Sequence, residues 1–275
     1  MIINSIFNLK LGGDNMTADF QFDKNWSLQP IKGDTGRAYM GVNANDKVFI
    51  KRNSSPFLAA LSREGIAPKL VWTKRTGNGD VLTAQEWLDG YLLKPEEVGN
   101  RLDVIRILQH LHQSDSLKKM LYRLGGKEKQ AFDFLSAYAN DLPSELNKNQ
   151  YLLRVFRFLE DHIPNAVEPQ ACHGDPIYHN WLLSDNDRLY LVDWDSTMLA
   201  DPATDLGTVL GRYVPYKDWP HWLDSYGWDH SEESLERIYW YSGMDFLQRI
   251  KQCYIQQNFK QMNLEILLLK KIYAY

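Results

Sequence analysis

One stretch constrains this chain more than any other. It runs His173-Gly174-Asp175-Pro176-Ile177-Tyr178-His179-Asn180 and is followed by Tyr190-Leu191-Val192-Asp193-Trp194-Asp195. Trp181-Leu182-Leu183 and Leu189 to Val192 have the apolar, β-favouring composition of two short buried strands. Ser184-Asp185-Asn186-Asp187 between them is a run of turn formers. A hairpin built on that turn brings Asn180 and Asp193 to the same end, with Asp175 just upstream. Asp and Asn are also ordinary turn residues, so one spacing alone carries little. The ordered set with its intervening hairpin carries the reading.

These residue types suit transfer of a γ-phosphoryl group, a reaction that asks for little covalent work and much positioning of charge. Asp175 is the expected catalytic carboxylate, accepting or orienting the proton of an attacking hydroxyl. Mg²⁺ prefers oxygen ligands and keeps several waters, so one amide oxygen and one carboxylate suffice on the protein side. Asn180 and Asp193 are the expected metal ligands, spaced as in the catalytic loop of kinases.

The same residues, continued by Asp201-Pro202-Ala203-Thr204-Asp205-Leu206-Gly207, resemble the aminoglycoside phosphotransferase and choline kinase-like family. The resemblance extends over nearly the whole chain from about Trp26 onward. Within it, Gly36-Arg37-Ala38-Tyr39-Met40-Gly41, Ala84-Gln85-Glu86-Trp87-Leu88-Asp89-Gly90 and Tyr239-Trp240-Tyr241 are similar to a small Gram-positive branch, the CcrZ/YtmP-like kinases. That branch is associated with phosphorylation of ribose or 2-deoxyribose and with control of the cell cycle.

The lobe that would hold the nucleotide is read from the N-terminal part. Trp26 to Ile31, Arg37 to Val42 and Lys47 to Lys51 read as strands. Gly33-Asp34-Thr35-Gly36 turns between the first two. Gly33 and Gly36 would let backbone amides approach phosphate oxygens. A hairpin turn also favours glycine, and both readings stand for this loop taken alone. Its place before Lys51 favours the phosphate reading, because Val48-Phe49-Ile50-Lys51 resembles the strand that carries the phosphate-contacting lysine of kinases. Ser55 is a good N-cap and Pro56 suits a first helical position, so Phe57 to Arg63 can be helical, with Glu64 at its end as the expected ion-pair partner of Lys51. Lys69 to Lys74 and Asp80 to Glu86 read as two more strands. By resemblance, Gln85, Glu86, Trp87 and Leu88 form a hinge whose backbone binds adenine.

From Pro95 the apolar period becomes helical, with Val98, Leu102, Ile105, Leu108 and Leu111 on one stripe and Glu96 and Glu97 at its start. Residues 128–140, 149–162, a long helix opening at Ser231-Glu232-Glu233, and residues 260–273 follow as further helices. His112 is read as a structural histidine. His173 is expected to brace the loop that presents Asp175, and His179 lies beside Asn180. His173 and His179 match no closed zinc pattern. Asp205 resembles the family's carboxylate that anchors the catalytic loop through backbone hydrogen bonds, and Asp195 is a candidate to assist with metal or substrate. The region also reads as solvated acidic turns, so neither enters the core catalytic set. The aromatic run from Tyr213 to Tyr241 reads first as helix packing and second as a cage for a sugar or a quaternary ammonium.

Composition narrows the class. The chain has 275 residues, 44% hydrophobic and 24% charged, with a formal net charge of −4 and a pI near 6.0. That balance argues against a dedicated nucleic-acid binder. Cys172 and Cys253 lack metal-site or redox spacing and read as free thiols of a cytoplasmic protein. Cys172 beside His173 does not make a nucleophilic pair, because strand neighbours point to opposite faces. No apolar run is long enough to span a membrane. Met1 to Leu11 is mildly apolar without a cleavage signal, Gly12-Gly13-Asp14-Asn15 follows as a linker, and Met16 offers a second start.

The expectation is therefore an α+β, two-lobed protein-kinase-like fold. Residues 1–25 form a loosely attached extension, 26–90 a small antiparallel β lobe with one helix, and 91–275 a larger, mainly helical lobe. ATP and Mg²⁺ are the implied cofactors and a small-molecule hydroxyl the acceptor, ribose or 2-deoxyribose by resemblance. Choline and aminoglycosides are the alternatives. A different class of function is a kinase-fold regulatory module that binds a cell-division protein such as FtsZ.

Overall fold

The computed structural model describes residues 26–31, 38–44 and 46–274. The extension 1–25 and the two turn glycines, Gly33 and Gly36, lie outside the described residues. The chain forms two compact units, one ending at Leu92 but including Trp181–Asp195, the other comprising Leu93–Asn180 and Ser196 onward.

In the first unit β1 (Ser27–Pro30), β2 (Ala38–Val42), β3 (Lys47–Arg52), β4 (Leu70–Arg75) and β5 (Val81–Glu86) form an antiparallel sheet of order β1-β2-β3-β5-β4. The strand period of two divides β3: Val48 and Ile50 are buried with Leu82 and Ala84, and Lys51 belongs to the alternate set. Each fully buried aliphatic side chain of this kind contributes about 1.5–3 kcal/mol relative to exposure. Helix α1 spans Phe57–Arg63, the bounds expected from sequence, and buries Phe57, Leu58, Ala60 and Leu61. Ser55 Oγ accepts the Phe57 N–H at 3.2 Å, satisfying one of the donors a helix start leaves open.

The strand β6 (Gly90–Leu92) was not legible, because Asp89-Gly90 reads as a strand breaker. The chain then enters the second unit, passes through β7 (Gln170–Cys172), and returns as β8 (Trp181–Ser184) and β9 (Leu189–Leu191). These make a three-stranded sheet of order β6-β8-β9, with Trp181 opposite Leu191 in the expected hairpin. The hairpin is tied to the end of α1: Leu191 N–H donates to Ile66 O at 3.0 Å and the Phe57 and Trp194 rings meet edge to face at 6.2 Å.

The second unit is mainly helical. It contains α2 (Pro95–Val98), α3 (Leu102–Gln113), α4 (Asp115–Arg123), α5 (Ala131–Ala139), α6 (Ser144–Asn147) and α7 (Gln150–Asp161). The β-ladder of β7 with β10 (Met198–Ala200) follows, then α8 (Ala203–Tyr213), α9 (Trp219–Tyr226), α10 (Glu232–Ile255) and α11 (Phe259–Ile272). The single stripe expected from Val98 to Leu111 is divided between α2 and α3 by Gly99-Asn100-Arg101, and Leu102 is 58% exposed. Ile105, Leu108 and Leu111 are buried as expected. The main packing is α8 against α10, and glycine permits it. A Cβ on Gly207 would stand 2.7 Å from Ser242 N, and one on Gly211 would overlap the Ser242 hydroxyl. The backbones approach closely at that crossing, which sets which residues meet further along both helices.

Candidate active site

In the second unit, β7 delivers His173, Gly174 and Asp175 into a loop held from beneath by Asp205 on α8. The Asp205 carboxylate accepts the His173 N–H at 2.7 Å and the Gly174 N–H at 2.8 Å, and it lies 3.0 Å from His112 Nε2. His112 Nδ1 is 2.8 Å from the Tyr226 hydroxyl. All of Asp205, His112, His173 and Tyr226 are buried. Burial alone would raise the Asp205 pKa, but the His112 hydrogen bond, neighbouring histidine charge and the Gly174 N–H outweigh it and hold the group below the ordinary carboxylate value. So Asp205 is an ionised loop anchor, as its resemblance implied, and not a solvated turn residue.

Gly174 has φ +81°, and a Cβ there would collide with the Ser196 carbonyl. That backbone reverses the chain so that the Asp175 N–H donates to His173 Nδ1 at 3.2 Å. His173 therefore braces Asp175, and His112 braces Asp205; both are structural histidines. Asn180, at the end of a short 3₁₀ turn, donates its amide nitrogen to the Asp175 carbonyl at 2.8 Å and faces Asp175 Oδ2 at 3.4 Å. With that nitrogen engaged, the amide oxygen is the atom Asn180 has to offer a hard cation.

In the first unit, Lys51 Nζ lies 2.9 Å from Asp193 Oδ1 and 2.8 Å from Asp195 Oδ1. Burial would lower the lysine pKa, but its hydrogen bonds to Asp195 and Asp193 and their charges overcome that and raise it. Asp193 sits at φ +62°, a conformation L residues rarely adopt and that recurs at functional sites. Two oxygen donors drawn to one ammonium, both more than half exposed, are a set that fits a hard cation beside a phosphate chain. Asp193 and Asp195 are thus partners of the expected phosphate lysine, where Glu64 is the partner expected from sequence. Glu64 is the C-terminal cap of α1, while Asp193 and Asp195 approach Lys51 on the segment after β9.

At the expected hinge, Gln85 and Glu86 turn their side chains inward: Gln85 Nε2 donates to Pro68 O at 2.9 Å, and Glu86 Oε1 accepts the Lys69 N–H at 2.9 Å. Trp87 Nε1 donates to Asp89 at 3.1 Å and its ring carries the Lys47 ammonium 4.5 Å from the centroid. Leu88 is half-buried. The Gln85, Glu86 and Trp87 side chains are thus committed within the unit.

Sequence reasoning missed Arg249. From α10 its Nη2 pairs with Asp175 Oδ1, and its Nε lies 3.4 Å from Asp245 Oδ1. A single arginine on a long helix looks like any solvated charge, and no local signal marks it. His112, Cys172 and Asp205 also bring ligand atoms within 4.8 Å of one another. Their polar atoms are already engaged, with Cys172 Sγ donating to Ala200 O at 3.5 Å, and burial with the Asp205 and Asp201 charges pushes that thiol well up. The cluster is a hydrogen-bonded support, and Cys172 is not a nucleophile. Both cysteines are free.

A small antiparallel sheet with one helix and a strand lysine, together with a mainly helical region holding an anchored Asp175 loop, defines a kinase-like α+β protein. The chain belongs to the phosphotransferase enzyme family, whose model matches residues 52–241. Protein LicA of Haemophilus influenzae is 27% identical over 107 residues, 39% of this chain and 39% of LicA, so the chain spans about two fifths of the curated relative it matches. Among solved structures, choline kinase LicA from Streptococcus pneumoniae superposes with a TM-score of 0.65 at 17% identity, covering 92% of this chain and 95% of that one. The GDP complex of aminoglycoside 2'-phosphotransferase-IIIa gives 0.66 at 14% identity, covering 93% and 95%. A choline/ethanolamine kinase family protein from Mesorhizobium loti gives 0.63 at 17%, covering 90% and 88%. At these identities the likeness is one of fold. No helix among the described residues is long and apolar enough to cross a membrane.

Proposed function

We propose that this protein transfers the γ-phosphoryl group of ATP to a hydroxyl of a small molecule in the cytoplasm. The acceptor oxygen forms a bond to phosphorus, the bond from phosphorus to the β–γ bridging oxygen breaks, ADP leaves, and Asp175 takes the hydroxyl proton. Lys51 binds the phosphate chain. The Asn180 amide oxygen and the Asp193 carboxylate would be the ligands for Mg²⁺, which would supply positive charge to offset that of the phosphates. Chain connectivity supports this sharing. Asn180 immediately precedes Trp181, and Trp181 pairs with Leu191, two residues before Asp193. The observation that carries the reading is the buried Asp205 carboxylate, which grips the backbone on the His173–Gly174 turn and so presents Asp175 in one orientation.

The preferred acceptor is a pentose, ribose or 2-deoxyribose, on the sequence resemblance to the CcrZ/YtmP-like branch. A second reading, choline, is supported by the likeness of fold to choline kinase LicA from Streptococcus pneumoniae. The branch resemblance also supports a regulatory role with a cell-division protein such as FtsZ.

ADP release from Mg²⁺-ATP, measured over a panel of pentoses, choline and aminoglycosides, tests the activity. Turnover that requires both acceptor and Asp175 is the expected outcome. A folded wild-type chain that phosphorylates none of the panel overturns the assignment. An Asp175→Asn chain that keeps its cellular role without turnover makes the regulatory role the primary one.

A further inference from the structure

Resting on that phosphotransferase reading, we propose that Arg249 determines acceptor specificity: its guanidinium, paired to Asp175, makes the acceptor site select a neutral polyhydroxylated molecule, a sugar or polyol, and reject cations.

The close α8–α10 crossing begins the placement of Arg249. Beyond the Gly207–Gly211 contact with Ser242, Arg212 Nε reaches Asp245 Oδ2 at 2.9 Å and Arg212 Nη1 reaches Glu265 Oε2 at 2.6 Å. Arg212 is almost wholly buried, so this three-membered pair is fixed. Asp245 leaves its other oxygen toward Arg249, one helical turn on, and the Arg249 guanidinium is thereby held against Asp175. Arg249 is 21% exposed and Asp175 28%, so both remain within reach of a bound molecule.

Two consequences follow for the acceptor. A lone carboxylate at the point of attack would draw a cation; here the Arg249 guanidinium, shared between Asp175 and Asp245, stands against that carboxylate and opposes a cation's approach to it. Arg249 has Nε and Nη2 engaged by Asp245 and Asp175, and among the described residues its Nη1 hydrogens can donate to hydroxyl oxygens. The second observation is the fate of the aromatic run. Trp219, Trp222, Tyr226, Trp240 and Tyr241 are all buried. Trp222 stacks on Tyr226, Trp240 Nε1 donates to Leu159 O at 2.7 Å, and the Trp228 face is already covered by the Arg237 guanidinium at 5.1 Å. The five buried rings are core and take no part in the aromatic cage that a quaternary ammonium needs.

The test is calorimetric binding of ribose, choline and kanamycin to the full chain with Mg²⁺ and a non-hydrolysable ATP analogue, alongside turnover with ATP. Wild type should bind ribose at least about tenfold more tightly than either cation. Arg249→Glu should weaken ribose by about tenfold or more and strengthen choline, whereas Arg249→Lys should keep the wild-type order of preference. Circular dichroism reports folding; should the glutamate variant not fold, Arg249→Gln must still narrow the ribose-to-choline ratio by about tenfold. Tighter wild-type binding of choline or kanamycin, absence of ribose binding, or a ratio unmoved in the folded variants overturns the proposal. Binding and turnover separate the two claims. Selective ribose binding without phosphate transfer upholds the role of Arg249 and sinks the phosphotransferase reading, while preferred turnover of choline does the reverse.

Discussion

The Lys51 ammonium lies 2.9 Å from the Asp193 carboxylate, across 142 positions of sequence. Lys51 is the penultimate residue of a strand of the five-stranded sheet; Asp193 follows a hairpin that the chain reaches only after about half of the second unit. Their meeting depends on β8 pairing with β6 and on β9 bonding to the backbone at Ile66. The lysine is thus held on two carboxylates, which under the proposed function it would exchange for phosphate oxygens.

Lys51→Met should raise KM for ATP by about 10- to 100-fold, the loss of one or two charge-assisted hydrogen bonds to phosphate. Steady-state kinetics at varied ATP check this. The Lys51 pKa is raised in the folded protein, so its ion pairs contribute stability fully below the ordinary value of 10.5. That contribution is lost as pH rises through the folded pKa. Alkaline denaturation of wild type should therefore show a stability loss above pH 10.5 that Lys51→Met lacks.

Asp175→Asn should lower kcat by about 10²- to 10⁴-fold while nucleotide affinity stays near wild type, because the removed group handles the acceptor proton. Rapid-quench measurement of phosphate transfer with a parallel nucleotide titration distinguishes this from a folding defect. Equal loss of nucleotide binding would count against the role.

Asp205→Ala should cost about 3–5 kcal/mol of unfolding free energy, since it leaves two backbone N–H groups and His112 without their buried acceptor. Urea melts report it. The Asp205 pKa is lowered on folding, so its contribution is present above the ordinary carboxylate value of 3.8 and is lost as pH falls through the folded pKa. Wild type should lose this increment only in acid below pH 3.8, and the variant should not.

Gly174→Ala should destabilise by about 1–3 kcal/mol, because φ +81° is strained for alanine and the added Cβ meets Met198 Cε at 2.5 Å. Thermal melts measure it, and kcat should fall as Asp175 is displaced. A variant as stable as wild type would show that the turn has freedom the structure denies it.

At Asp193 the two effects separate. Asp193→Gly should be more stable than Asp193→Ala by about 0.4–1 kcal/mol, since glycine accepts φ +62° and alanine does not. Both should lose Mg²⁺-dependent turnover alike. Paired denaturant titrations and kinetics decide it, and a glycine variant that retained turnover would remove Asp193 from the metal site.

Local physics made much of this protein readable from its residues. The five strands of the first sheet, the bounds of α1, the β8–β9 hairpin and the long helix opening at Ser231 each follow from periodicity and capping within a few residues, although Pro56 rather than Ser55 is the N-cap of α1. Asp175, Asn180, Asp193 and the bracing His173 stand close together in the chain, so a shared role could be proposed for them from sequence. Tertiary structure alone decided the rest. Whether Asp205 is a solvated acid or a buried anchor depends on His112, 93 positions away. Lys51 meets the acids after β9 where the hairpin docks, and Arg249 reaches Asp175 from a helix that two glycines let approach α8. Charge and hydrogen bonding act over a few ångströms in space, and for these groups chain order does not say which distances will be short.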